Sequence, residues 1–369
     1  MSYSVSPDSN INDIRTSTQF KSYSFSKYKK TVVCDKLVDN MQKQKIEPAC
    51  YWAAELICAG HYGDLWEIII QYVGKHIHLG NPKIVKYIEM RYIAFKNIVN
   101  QGHFVTELQL RNHSSIRKLF AEIIVILTLS NRKHSFEPIR INRVEEFEID
   151  FMKERLIAPS TVYIDTLFRK EDAKEVTIPL NEFAYNISLE KHNMLNACYW
   201  VEWIIEFDIL CRKKRREILS CEKRKESMNV DSKFQSDVIW LIWEAIVYQS
   251  KTLNNPFIES LIQSLITIFS IKYTTAASKR RRYLIYFAIA LLTEPVPMNI
   301  ELINNKAMVE SVVSKIDDIY SQIKKNEESP NTDYLFANLE QQTDLEKSIR
   351  QIELMNSLTM PTPSTKNCE

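Results

Sequence analysis

The sequence predicts an all-α protein of two tandem helical modules, about five helices each, and three observations carry that prediction. Only 5 of the 369 residues are Gly, all lying between Gly60 and Gly102. Tight hairpins, phosphate-cradling loops and strand bulges draw on residues with φ > 0, which Gly adopts at least cost. Apolar residues recur at three- and four-residue spacing over most of the chain, the period of amphipathic helices. The word ACYW occurs twice, at Ala49–Trp52 and Ala197–Trp200, and further anchors follow each copy in the same order.

Taken in order, residues 1–33 are rich in Ser, Asn, Thr and Lys and are expected to form a disordered arm. Residues 34–140 form the first module. Pro48 suits the first turn of the ACYW helix, where its missing N–H costs nothing. Gly60 and Gly63 close that helix, and Gly80, before Asn81-Pro82, closes the next. The stretch "LFAEIIVILTL" within about Ser114 to Leu129 is apolar nearly all round and reads as a buried central helix. Residues 141–180 break the periodicity and read as a connector, with a small hairpin suggested by "TVYID". The second module, residues 181–323, repeats the helical pattern. A linker at 324–333, a C-terminal amphipathic helix at 334–358 and a disordered tail at 359–369 complete the chain.

The two copies share more than ACYW. Each is followed by an Asp and a Trp-rich apolar helix, "DLWEIIIQYV" or "DVIWLIWEAIVY", and then by Asn-Pro opening another helix. "RKLFAEIIVILT" from Arg117 matches "RYLIYFAIALLT" from Arg282, and Asn40 and Asn186 occupy similar lead-ins. The second copy is longer between ACYW and Asn-Pro. Aligned this way, its most basic segment, residues 211–233, is an insertion that the first copy lacks.

Composition narrows the function. Net charge is +2, so any case for nucleic acid rests on local patches. Neither G-x-G-x-x-G nor G-x-x-x-x-G-K-[ST] occurs, which counts against Rossmann and P-loop nucleotide enzymes. The seven cysteines have no paired spacing, the N-terminus lacks an apolar signal core, and no apolar run reaches membrane-span length. The expectation is a protein of a reducing intracellular compartment, with buried free thiols and no membrane insertion. Cys50 and Cys198 read as small core hydrophobes, since nothing in the sequence marks a base beside either.

No metal site or cofactor is expected. Cys58 and His61 are spaced i,i+3, but His76 and His78, at i,i+2, would not share a helix face, and no second cluster completes a set. No spacing singles out a carboxylate pair, so no catalytic residue is assigned. The basic runs Arg212, Lys213, Lys214, Arg215, Arg216 and Lys279, Arg280, Arg281, Arg282 suit phosphates or an acidic partner, against the plainer reading of solvated linker charge. In the C-terminal helix Leu335, Leu339, Leu345, Ile349, Ile352 and Met355 fall at helical spacing, a face for packing or for a partner.

The stretch "WAAELICAGHYGDLW", with "LGNPKI" downstream, resembles a conserved family of the nucleocytoplasmic large DNA viruses found in algal and giant viruses. The resemblance covers residues 52–84. It implies a viral protein made in an infected cell, in cytoplasm or nucleus or packaged in the virion; it implies no activity and no site residues. The expected function is therefore non-enzymatic, through protein–protein interaction in viral replication, transcription or virion assembly, with no small-molecule site. The alternative is a nucleic-acid-binding, transcription-factor-like protein using the basic runs; paired five-helix modules resemble, by fold analogy alone, doubled cyclin-type domains.

Overall fold

The computed structural model describes residues 9–102, 104–215, 219–328 and 344–357. They are helical with no strand among them; the β pairing they contain is two isolated bridges, Tyr23–Lys29 and Ser220–Asp237. The longer helices are α1 Lys30–Gln42, α2 Ile46–Cys58, α3 Tyr62–Tyr72, α4 Ile84–Gln101 and α5 Ser114–Leu129. After the connector come α6 Thr177–Ile187, α7 Met194–Leu210, α8 Ile239–Thr252, α9 Pro256–Ser270 and α10 Arg282–Thr293. The chain ends with α11 Lys306–Ser314, α12 Ile316–Lys324 and α13 Asp344–Ser357.

The chain forms two compact units: residues 1–69, 90–130 and 301–369 make one, and 70–89 and 131–300 the other. They are not two successive halves. The segment holding Asn81-Pro82 belongs to the second unit, and α11 and α12 belong to the first.

In the first unit α5 is the central helix, in contact with α1, α2, α11 and α12. Its residues from Leu119 to Thr128 are buried apart from Glu122, as an all-round apolar sequence requires. Trp66 and Phe95 each pack against Phe120 on it. The end of α2 is a Schellman motif. Gly60 takes φ 76, its N–H donates to the Ile57 carbonyl, and the His61 N–H donates to the Leu56 carbonyl.

The polar lead-in corrects the expectation of a disordered arm. From Ser9 onward it packs on this unit: Ile11, Phe20 and Phe25 are buried, and Asn112 exchanges two hydrogen bonds with the Ile11 backbone. Three spaced apolar anchors within a Ser/Lys-rich stretch hold it against the unit. Residues 1–8 lie outside the described residues.

In the second unit α7 lies on α6 and α10, and α9 lies on α8 and α10. The π-helical turn Val73–Ile77, which continues α3, packs on α10. Asn255 caps α9 by accepting from the Phe257 and Ile258 N–H groups, with Pro256 at the first helical position. At Gly80 a Cβ would lie 2.5 Å from the Arg132 carbonyl carbon. Gly80→Ala is therefore expected to cost about 1–3 kcal/mol by displacing the backbone at 132–133, read as a fall in the urea midpoint. An unchanged midpoint would contradict the close approach.

The two ACYW helices are entered alike. Gln44 and His192, both at positive φ, precede the N-caps Lys45 and Asn193, whose N–H groups donate to the carbonyls of Asn40 and Asn186. The side chains of those two Asn donate back four residues, to the carbonyls of Lys36 and Glu182. Non-Gly residues at positive φ are uncommon, so the match is informative. The copies differ at the Trp: Trp200 is fully buried whereas Trp52 is half-exposed.

The connector forms no hairpin. "TVYID" makes a single 3₁₀ turn, Val162–Ile164, because its alternating residues find helix α6, not a second strand, to pack against.

Candidate functional site

Four of the nine basic residues singled out in the sequence, Arg212, Lys279, Arg281 and Arg282, are engaged inside the second unit. Helix α7 carries Glu202, Glu206 and Asp208 on buried positions. Arg282 binds Glu202 at 2.8 Å, and the Tyr286 hydroxyl donates to the same carboxylate at 2.7 Å. Lys279 reaches Glu206 at 2.6 Å, and Arg143 pairs with the same carboxylate from the connector. Arg212 bridges Asp208 at 2.8 Å and Asp237 at 3.1 Å. Arg281 is buried and donates to the carbonyls of Phe269 and Ile271, both at 2.6 Å.

Arg281 and Arg282 are thus corrected from a partner-facing run to core residues. Lys279 and Arg280 end the short helix Thr275–Arg280, where the dipole favours cations. Arg280 and Lys213 are exposed. Lys214 and Arg215 belong to the π-helical turn Cys211–Arg215, and Arg216 lies outside the described residues. The signal for this pairing was present in the sequence as buried-looking acids on an apolar helix, but their partners are distant in the chain.

The pairs set opposite titration behaviour on one helix. Burial raises Glu202 above the ordinary carboxylate value against the pull of Arg282. For Glu206 burial also acts upward, but hydrogen bonds from Lys279 and Arg143 outweigh it and the group ends lowered. The stability that Glu206 contributes is therefore full above the ordinary carboxylate range and lost as pH falls through its lowered value. Glu202 contributes in the opposite sense, favouring the fold below the ordinary value and losing that contribution as pH rises through its raised one.

Five of the seven cysteines are held as neutral thiols. Burial pushes Cys34, Cys50 and Cys221 up to about 12 and raises Cys58 and Cys198 as well. A thiol reagent at pH 8 is expected to leave these five unlabelled until the protein is unfolded. Rapid labelling of two or more in the native state would contradict this; Cys368 lies outside the described residues.

The histidine and cysteine positions weighed as ligands are not brought together. Cys58 and His61 lie in the first unit, with His61 Nε2 2.8 Å from the Tyr23 carbonyl oxygen. His78 is buried in the second, stacked on Phe287 with ring centroids 4.8 Å apart. His76 instead meets a residue the sequence did not pair with it, His134, at 3.0 Å between Nδ1 atoms. Burial first, then His134, pushes His76 down to about 4. Among the described residues no three His, Cys, Asp or Glu are grouped to hold a metal ion.

The C-terminal helix differs from its expected face. Leu335 and Leu339 lie outside the described residues, and Leu345 sits in the first turn of α13. Ile349 and Ile352 are exposed and Met355 is half-buried; the buried residue is Leu354, which the sequence reading did not place on that face.

The surface that stands out is the connector. It is laid along α7 and α6 by a series of anchors. Phe147 packs edge-on against Trp203, whose Nε1 donates to the Glu146 carbonyl at 2.9 Å. The Arg155 guanidinium lies 4.5 Å over the Tyr199 ring. Glu182 accepts from the Ile157 and Ala158 N–H groups, and Asn181 donates to the Ser160 carbonyl.

With one side anchored, the segment presents apolar side chains outward: Val144 is 78% exposed and Ile149 73%. The exposed acids Glu145, Glu148, Asp150 and Glu154 stand among them, against Lys153 and Arg155. Arg143 and Glu146 are engaged inward. Single exposed apolar groups are ordinary. Two that are largely exposed, on an anchored segment that also exposes four acids, make a distinct chemical surface.

Comparison with protein-family models, curated proteins and solved structures finds no match for this chain.

Proposed function

We propose that this chain is a non-enzymatic interaction protein that docks a basic amphipathic segment of a partner protein on residues 144–157. The observation that carries the reading is the outward display of Val144 and Ile149 among Glu145, Glu148, Asp150 and Glu154. An apolar contact flanked by acids selects a segment that pairs apolar residues with Lys and Arg. It repels a phosphate backbone. The engagement of Arg212, Lys279 and Arg282 by internal acids, and of Arg281 by backbone carbonyls, supports the same choice over nucleic acid. The resemblance of residues 52–84 to a viral family supports looking for that partner in infected cells, in viral replication, transcription or virion assembly.

The test is affinity purification of the full chain from infected cells, beside Ile149→Asp and Glu148→Lys/Glu154→Lys variants. The expected result is a protein lost from both variants, weakened by salt and cross-linked to residues 144–157 through a Lys/Arg-rich amphipathic stretch. Binding kept by both variants, or nucleic acid recovered in place of protein, would overturn the reading.

A further inference from the structure

Residues 133–135 run past the end of the helix that begins at Tyr62. The Lys133 N–H donates to the Ile77 carbonyl at 3.1 Å and the Ser135 N–H to the Lys75 carbonyl at 2.8 Å. The residues between, His134 and His76, are thereby set directly opposite each other. Their Nδ1 atoms are 3.0 Å apart and their rings edge-to-face with centroids 5.1 Å apart. His76 is half-buried and His134 exposed, so the pair opens to solvent. We propose that His76 and His134 form a two-imidazole site for a late first-row divalent transition ion, with Cu²⁺ preferred.

The separation selects the ion. With metal–nitrogen bonds of about 2.0–2.1 Å, nitrogens 3.0 Å apart subtend about 94° at the metal, whereas a tetrahedral angle needs about 3.35 Å. An angle near 90° is that of tetragonal Cu²⁺ or Ni²⁺, and imidazole affinity is greatest for Cu²⁺ in the divalent series.

The proton balance is simple. In the metal-free pair one neutral ring holds its proton on Nδ1 and donates it to the other. On loading, that proton moves to Nε2 of the same ring, both Nδ1 lone pairs face the ion, and no proton is released. Water fills the remaining positions.

The surrounding charge sets a moderate affinity. Lys75 and Arg132 oppose a cation. Glu137, 3.1 Å from Lys75, offsets one of them. The negative end of the helix dipole, where His76 sits in the last turn, favours the ion. The flanking backbone hydrogen bonds supply preorganisation, so little ordering remains to be done on binding.

The test is titration of the full chain with CuCl₂ by calorimetry and electron paramagnetic resonance. His134→Ala, His134→Gln and His76→Ala are compared with a His192→Ala control. The expected result is one equivalent bound with two nitrogen ligands. Each His76 or His134 variant is expected to lose about 10-fold or more in affinity, at unchanged metal-free melting temperature for the exposed His134 variants. The control keeps full affinity. Retained affinity in both His134 variants, or no stoichiometric binding by the parent chain, would overturn the proposal and leave the pair as a hydrogen bond alone.

Discussion

Replacing Arg224 with Met is expected to destabilise the unit built from residues 70–89 and 131–300 by about 3–5 kcal/mol, the cost of breaking a buried ion pair from one side. Arg224 and Asp172 are both fully buried and paired. The guanidinium also donates to Glu244, and it reaches the carbonyls of Glu222 at 2.7 Å and Leu167 at 3.3 Å. One side chain therefore ties the connector, the basic insertion and α8 together. Met fills much of the volume but leaves the Asp172 carboxylate buried without its cation. Urea unfolding at pH 7 measures the loss. Lys153→Met, which breaks an exposed pair with Asp150, is the comparison and is expected to move stability by no more than about 0.5 kcal/mol. Equal effects of the two would show that the Arg224 network is not buried in solution.

The second large effect is expected at the repeated word. Trp200→Ala should cost about 3–5 kcal/mol, because a fully buried indole leaves a cavity that neighbouring helices cannot close. Trp200 lies edge-on to Tyr199 with ring centroids 5.1 Å apart and 6.3 Å from Trp203. The same substitution at Trp52 removes a half-exposed ring that touches Tyr28 and Tyr51. It is expected to cost clearly less. The pair of variants separates what ACYW shares in both copies, its helix entry and buried Cys, from what only the second copy does with it. Equal losses on chemical denaturation would contradict the difference in burial.

The helices were legible in the sequence because periodicity and scarce Gly are local signals. Gly60 marked the end of α2 correctly because a Schellman motif needs φ > 0 at that residue. Asn40 and Asn186 flagged matched helix entries because their side chains act within their own turns. What failed was non-local. Arg281 and Arg282 read as a surface run, and their burial depends on carbonyls of Phe269 and Ile271 and on Glu202. His76 found its partner 58 residues away, beyond any spacing rule for ligands. The connector read as a break in periodicity with a small hairpin because its order comes from α6 and α7 and not from its own propensity. The same dependence hid the acidic and apolar surface: only anchoring of Phe147 and Arg155 fixes which way Val144 and Ile149 face.

The central claim is that residues 144–157 take a basic amphipathic protein segment. It is tested most directly by placing a photo-cross-linking residue at Ile149 of the full chain expressed in cells and identifying what is captured. The account predicts a protein, joined through a Lys/Arg-rich amphipathic stretch, with capture abolished by Glu148→Lys/Glu154→Lys and unaffected by neutralising Lys213 and Arg280. Capture that survives the acid reversals, or that is lost when Lys213 and Arg280 are neutralised, would contradict it.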